Sequence, residues 1–130
     1  VQSPYSGLSG SWSFGIIFRS DTGFGAVVFT ETGSWKLIHR PDTSPESSET
    51  LQSGTVTNLN ILEGGVNEIG LMAKDNVGAL YLNGQRVVFL DITNIKGAGT
   101  TSLVTAYYSG QEAVGTVAEF TGFEVWSLGN

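Results

Sequence analysis

The sequence contains no cysteine, only one histidine and only three prolines. The absence of cysteine excludes disulfides, thiolate metal sites and a cysteine nucleophile. One histidine without cysteine cannot build a typical zinc site. No apolar run approaches the roughly 20 residues that a membrane helix requires, so no direct membrane insertion is expected.

Positive charge is also scarce, since six Lys and Arg residues stand against twelve Asp and Glu residues, for a net charge of −6. Nucleic-acid phosphates attract a cationic surface, so no nucleic-acid partner is expected. Docking on anionic lipid is disfavoured for the same reason. The acidity is explained most simply by solubility.

The chain is rich in glycine, with 18 glycines among 130 residues. This composition, with many Ser and Thr, favours short strands joined by tight turns. The length fits one domain over residues 1–130. Because the first residue is Val1 rather than Met, we expect a processed or excised part of a longer protein.

Apolar and polar residues alternate in about eight segments separated by turn sequences, which predicts an antiparallel sandwich or barrel. The pair Asn83-Gly84 favours a type I′ hairpin turn. Residues 94–100 predict a loop with room for one helical turn. The aromatic stretch 117–128 predicts the last strand, and we expect Trp12 and Trp126 to lie in the core.

Several motifs resemble those of the concanavalin A-like lectin/glucanase superfamily. They are Trp12–Arg19, Gly33–Leu37, Ser53–Gly54, Leu80–Gln85 and Phe120–Trp126. The sequence looks closest to the laminin G-like and keto-disaccharide-hydrolase-like modules of bacteria. The resemblance implies an all-β, antiparallel two-sheet β-sandwich of the concanavalin A-like jelly-roll type. It also implies an extracellular or cell-surface location.

One departure from that pattern concerns the start of the domain. Modules of this kind begin with a strand ahead of the one equivalent to Trp12–Arg19, and it pairs near the C-terminal strand. Here the eleven residues before Trp12 are typical of a loop. The missing strand is expected either upstream in the parent protein or from a neighbouring subunit. The second case would mean self-assembly through an open sheet edge.

Catalytic motifs are absent from the sequence. Glucanases of this superfamily carry E-x-D-x-x-E on one strand, whereas Glu119 and Glu124 have odd spacing and would face opposite ways. His39 is the one histidine that a Ser-His-Asp triad could use, but the sequence lacks the G-x-S-x-G motif that carries the serine nucleophile. We therefore predict no catalytic residues and no enzyme activity, with glycoside cleavage as a third hypothesis behind two non-catalytic ones.

Calcium is the one metal for which the sequence offers ligands, although no cofactor is required. Asp21, Asp42, Asp75 and Asp91 lie at expected turns, and calcium prefers loop carboxylates and carbonyls. The candidate metal ligands are Asp21, Asp75 and Asp91. The alternative is that aspartate simply favours turns.

A sugar site would combine an aromatic platform with polar side chains around it. The candidate ligand-binding residues are Arg19, Trp35, Tyr81, Asn83, Tyr107, Tyr108 and Glu112. For each aromatic residue, core packing is the alternative. The leading hypothesis is a non-catalytic extracellular binding module that recognises carbohydrate or an extracellular protein. The alternative is a structural or adhesive assembly subunit completed by strand addition.

Overall fold

The computed structural model describes residues 1–3, 12–107 and 117–128, and its architecture is all-β with two antiparallel sheets. The strands are β1 (Trp12–Ser20), β2 (Phe24–Thr30), β3 (Ser34–Arg40), β4 (Glu49–Thr55), β5 (Ile69–Lys74), β6 (Val77–Leu82), β7 (Gln85–Asp91) and β8 (Thr100–Tyr107). One 3-10 turn, Pro45–Ser47, lies between β3 and β4. The described residues contain no helix long and apolar enough to cross a membrane.

The larger sheet has the order β4-β3-β2-β1-β8, so its first four strands form a meander of consecutive hairpins. The turn sequences Asp21–Gly23 and Glu31–Gly33 predict this meander for β1, β2 and β3. Gly15 allows β1 and β2 to lie close together. A Cβ atom at this position would stand 1.9 Å from the Val27 carbonyl oxygen. Any side chain at position 15 would therefore push the two strands apart.

The smaller sheet has the order β5-β6-β7. Its second hairpin turns at Asn83 and Gly84, whose φ angles are 51° and 80°. Positive φ at both central residues is the requirement of a type I′ turn, so this prediction is confirmed.

Both sheets contribute to one apolar core, and the alternating pattern of β1 is confirmed because Trp12, Phe14, Ile16 and Phe18 are all buried. The rings of Trp12 and Phe14 stack with centroids 4.9 Å apart. The other core residues are Val27, Phe29, Trp35, Leu37, Leu80, Leu82, Leu90, Ile92 and Ile95.

The predicted C-terminal strand is wrong over the described residues 117–128. Only Glu119 takes part in a bridge, with Gln2, and no strand ladder forms. Trp126, expected in the core, is 78% exposed. Alternation makes a segment able to form a strand, but a strand also needs a neighbour whose backbone is free to pair. Residues 94–100 likewise lack the helical turn for which the sequence left room.

The two long sides of the sandwich differ. On one side the Gln52 side chain of β4 reaches the backbone of β7 and joins the sheets. On the other side, residues of β1, β5 and β8 border one open space, and no described strand extends the smaller sheet beyond β5. Part of the larger sheet is therefore left uncovered by the described strands.

Candidate functional site

An open cleft of about 1100 Å³ lies between the sheets on this uncovered side. Five described strands form one sheet and three the other, so within residues 1–3, 12–107 and 117–128 no strand beyond β5 opposes the side chains of β1 and β8. Apolar side chains form most of its walls, namely Ile16, Phe18, Ile69, Leu71, Met72, Ala73, Leu103, Phe120, Phe123, Val125, Trp126 and Leu128. Ligand sites in proteins typically have this character, with volumes of about 300–1000 Å³.

Charged groups lie among these apolar walls: Arg19, Glu68, Lys74, Asp75 and Glu124. The Nη1 atom of Arg19 donates a 2.5 Å hydrogen bond to the Ile95 carbonyl, which fixes the guanidinium at the cleft. Because these side chains include both positive and negative charges, a positive or a negative group of a ligand can pair with an opposite charge in the cleft.

The chain start contributes to the same cleft. The Val1 amino group donates a 2.5 Å hydrogen bond to the Asn67 carbonyl, and the Asn67 N–H donates to the Val1 carbonyl at 2.8 Å. Partial burial lowers the pKa of this amino group, while the Glu68 carboxylate acts in the opposite direction. This end of the cleft is therefore polar.

Two exposed aromatic rings in the cleft wall are residues that the sequence did not single out as ligand-binding. Phe123 is 47% exposed and Trp126 is 78% exposed. Such rings offer a flat apolar surface to a sugar or to another side chain. Their alternating sequence predicted a paired strand, and no local signal indicated that the strand position beside them is open.

Arg19 and Asp75 are the predicted site residues that the structure brings to the cleft. Trp35 lies instead in the core with 5% exposure. Its ring packs over Gly54, where a Cβ atom would stand 2.8 Å from Trp35 Nε1. Tyr81 is half-buried on β6, opposite Gly70 of β5.

Asn83 holds loops together rather than facing the cleft. Its Nδ2 donates to the Asn58 carbonyl at 2.7 Å and to Asn67 Oδ1 at 3.0 Å. Its Oδ1 accepts from the Glu68 N–H at 2.8 Å. These bonds engage both ends of the amide, so a ligand would have to displace them.

Of the remaining predicted ligand-binding residues, the structure describes only Tyr107. Tyr107 is the last residue of β8 and pairs with Trp12 of β1 in the ladder. Tyr108 and Glu112 lie outside the described residues.

The candidate calcium ligands do not converge. Within residues 1–3, 12–107 and 117–128, no three acidic, His or Cys side chains form a group suited to a metal ion. The Asp91 Oδ1 atom instead accepts from the Thr93 hydroxyl at 2.6 Å and from the Thr93 N–H at 3.1 Å. These bonds lower the pKa of Asp91. The aspartates Asp21, Asp75 and Asp91 therefore do not provide one shared coordination site.

The other titratable residues considered from sequence lie apart from one another. Glu119 is bridged to Gln2, whereas Glu124 lies in the cleft wall. His39 Nδ1 is 3.4 Å from Glu49 Oε1, in a cross-strand pair between β3 and β4.

The chain matches no known family model, no curated protein and no solved structure.

Proposed function

We propose that this chain is a non-catalytic extracellular binding module with a concanavalin A-like jelly-roll fold, and that its ligand binds in the cleft. The ligand is a carbohydrate or a segment of an extracellular protein. The observation that carries the proposal is the cleft itself, about 1100 Å³ in volume, with apolar walls and a few charged groups.

The cleft walls suit a ligand with both apolar and polar surfaces. A pyranose ring has an apolar face that stacks on an aromatic ring, and Phe123 and Trp126 are exposed for such stacking. Arg19, Asp75 and Glu124 belong to the same lining and carry groups that can hydrogen-bond to hydroxyl groups. The resemblance to lectin-like modules supports the same proposal.

A glycan-array screen of the purified chain, with calcium and again with chelator, tests this proposal. Ala73→Arg places a long charged side chain in the cleft wall, and we expect it to abolish binding. Val77→Arg is the matched control, because Val77 is 52% exposed on β6 and outside the cleft lining. Loss of binding with chelator would assign a calcium ion to the site. Equal binding by both variants would place the ligand elsewhere.

Enzyme activity is the result that would overturn the non-catalytic part of the proposal. Chromogenic glycosides test for enzyme activity directly. The variant is Glu124→Gln, because Glu124 lies in the cleft wall and follows the exposed Phe123 in the sequence. Hydrolysis by the wild-type chain that disappears in this variant would make the cleft an active site.

A second candidate function, an assembly subunit completed by strand addition, is favoured by one specific observation. Among the described residues, β5 pairs only with β6, so no described strand covers its outer edge. An unpaired edge is a template for another strand. Dimerisation or polymerisation of the chain, measured by light scattering, would support this candidate.

A further inference from the structure

We propose that the Asn83-Gly84 bond is a site of spontaneous deamidation, and that the hydrogen bonds of the Asn83 amide protect it while the turn is folded. The product of the reaction can no longer hold the neighbouring loops, so the modification loosens this end of the domain irreversibly. The proposal concerns the loops around the turn and is independent of what binds in the cleft.

The chemistry follows from the residue after the asparagine. The backbone nitrogen of Gly84 attacks Cγ of Asn83, and Nδ2 leaves as ammonia together with the proton of that nitrogen. The succinimide ring that forms is then opened by water at either carbonyl, which gives aspartate or isoaspartate. Glycine permits the attack most readily, because it has no Cβ atom beside the nitrogen that must approach.

Asn83 is the only asparagine of the chain that glycine follows. The five other asparagines with a following residue precede a larger one, namely Leu59, Ile61, Glu68, Val77 or Ile95. Gly84 also has open space around it, since a Cβ atom built there would meet no atom beyond its chain neighbours within 4 Å. Sequence and surroundings therefore single out one bond for this reaction.

The folded turn opposes the reaction through its backbone. A type I′ turn sets ψ of its first central residue to about +30°, which places the next nitrogen nearly opposite Cβ across the Cα–C bond. Asn83 is that residue, with a φ of 51°. Ring closure needs the Gly84 nitrogen and the Asn83 Cβ on the same side of this bond, so the turn must open before the reaction can occur.

The hydrogen bonds of the Asn83 side chain oppose the reaction as well. Its Oδ1 accepts from the Glu68 N–H at 2.8 Å, and its Nδ2 donates to the Asn58 carbonyl at 2.7 Å and to Asn67 Oδ1 at 3.0 Å. Nδ2 is the leaving group, so both of its bonds must break before ammonia departs. Deamidation therefore requires local opening, and its rate depends on how often the turn opens.

The product cannot restore these bonds. Aspartate at position 83 carries a carboxylate, which accepts hydrogen bonds and donates none. It would face the Asn58 carbonyl and Asn67 Oδ1, the two oxygens that had accepted from Nδ2. Asn67 cannot turn its amide over in response, because its Oδ1 also accepts from the Asn60 N–H and its Nδ2 donates to the Asn60 carbonyl. Isoaspartate goes further, since it adds a methylene to the backbone of the turn.

The loosening extends from the turn to the segments that it holds. Glu68 directly precedes β5, and its carbonyl accepts from the Asn83 N–H at 2.8 Å. Asn67 is 1% exposed, so a repulsive neighbour there disturbs a buried polar group. One chemical change therefore weakens the attachment of the loop 56–68 to the turn between β6 and β7.

The test compares the folded chain with the chain unfolded in guanidinium chloride, both incubated at the same mildly alkaline pH. Cleavage after Lys74 and Arg86 releases residues 75–86, which contain Asn76 and Asn83, and mass spectrometry locates the modified residue. We expect Asn83 of the unfolded chain to deamidate at least about tenfold faster than Asn83 of the folded chain. Asn76 is the internal reference and should change little in both samples.

Two pairs of variants separate the protection from its consequence. Asn67→Ala removes one of the two acceptors of Nδ2, so the folded variant should deamidate at Asn83 faster than the wild type. Asn94→Ala, at an exposed position, is its control and should match the wild type. Asn83→Asp carries the reaction product from the start, and we expect it to unfold at a lower denaturant concentration. Asn76→Asp adds the same charge to the turn between β5 and β6 and should unfold like the wild type.

Three outcomes overturn the proposal. Asn83 could stay unmodified in the unfolded chain, so that the bond would not be a deamidation site. The folded and unfolded chains could deamidate at the same rate, so that the turn would give no protection. Asn83→Asp, or the wild type after deamidation, could unfold at the same denaturant concentration as the fresh wild type, so that the amide would not hold the loops. All three measurements can be made without Asn67→Ala, should that variant fail to fold.

Discussion

The backbone N–H of Asp91 donates a 2.7 Å hydrogen bond to the side-chain Oε1 of Gln52. The Nε2 of the same side chain donates at 3.3 Å to the Phe89 carbonyl. Gln52 belongs to β4 and the other two residues to β7, which are edge strands of different sheets. One amide side chain thus bonds to β7 as the backbone of another strand would, and it links the two sheets on this side.

Replacing Gln52 should weaken this link. Gln52→Leu removes both bonds, and we expect the free energy of unfolding to fall by about 1–2 kcal/mol, measured by urea titration. Gln52→Glu keeps an acceptor for the Asp91 N–H but cannot donate to the Phe89 carbonyl, so its loss should be smaller. Unchanged stability in Gln52→Leu would show that apolar packing alone joins β4 to β7.

Asn67 is the polar centre of the loops around the Asn83-Gly84 turn. It is 1% exposed, and its Nδ2 donates to the Asn60 carbonyl at 2.9 Å. Its Oδ1 accepts from the Asn60 N–H at 2.7 Å and from Asn83 Nδ2 at 3.0 Å. Asn67→Ala leaves these partners unsatisfied, so we expect a loss of about 2–4 kcal/mol in urea unfolding.

The control for Asn67 is Asn94→Ala, at an exposed position in the loop before β8. We expect a change within about 0.5 kcal/mol there. Equal effects of the two substitutions would contradict a structural role for the buried amide.

Glu31 is a buried acidic side chain that we expect to lower the stability of the fold. It is 9% exposed, and over the described residues its Oε2 atom has no hydrogen-bond partner. Glu31→Met keeps a similar length and removes the unsatisfied oxygen, so we expect thermal and urea stability to rise by about 1–3 kcal/mol. Glu46→Met, at an exposed site, should change little. A destabilised Glu31→Met protein would mean that the carboxylate organises its surroundings.

Asp42 should make the loop around the 3-10 turn sensitive to acid. Hydrogen bonds of 2.8 Å from the Ser44 N–H and the Ser47 hydroxyl lower the pKa of this carboxyl. A carboxyl group whose pKa is lower in the folded state stabilises the fold at pH values above its unfolded pKa of about 3.9. This stabilisation is lost as the pH falls through the folded-state pKa.

The pH experiment compares the wild type with Asp42→Asn by urea unfolding. The wild type should be the more stable above about pH 5, and the difference should shrink as the pH falls below the unfolded pKa of about 3.9. Ser47→Ala removes one of the two donors and should give a smaller difference. A difference that persists unchanged at low pH would contradict this account.

The sequence predicted the all-β class, the meander of β1–β3 and the type I′ turn at Asn83-Gly84. These are local properties, because side-chain alternation and positive φ are set by a few neighbouring residues. The pairing of β8 with β1 was beyond such reasoning, since it joins segments about 90 residues apart in the chain.

The candidate site was predicted less well, for a physical reason. Residue type indicates what a side chain can do, whereas its availability depends on the neighbours that the fold supplies. Trp35 and Trp126 are the same residue type in similar alternating sequences, yet one is 5% exposed and the other 78%. The difference lies in whether other residues pack against the ring, as Gly54 of β4 does against Trp35, which no local pattern records.

The unequal widths of the two sheets also predict different rates of hydrogen–deuterium exchange for different backbone amides. Strand β2 lies between β1 and β3, so its amides are protected from both sides and require a large opening to exchange. Amides on the outer edge of β5 have no strand partner among the described residues, and we expect them to exchange within the dead time of the experiment. Deuterium uptake in the first minutes of labelling would therefore be highest along the outer edge of β5. Slower uptake at these amides would show that another segment pairs with β5, even before that segment is identified.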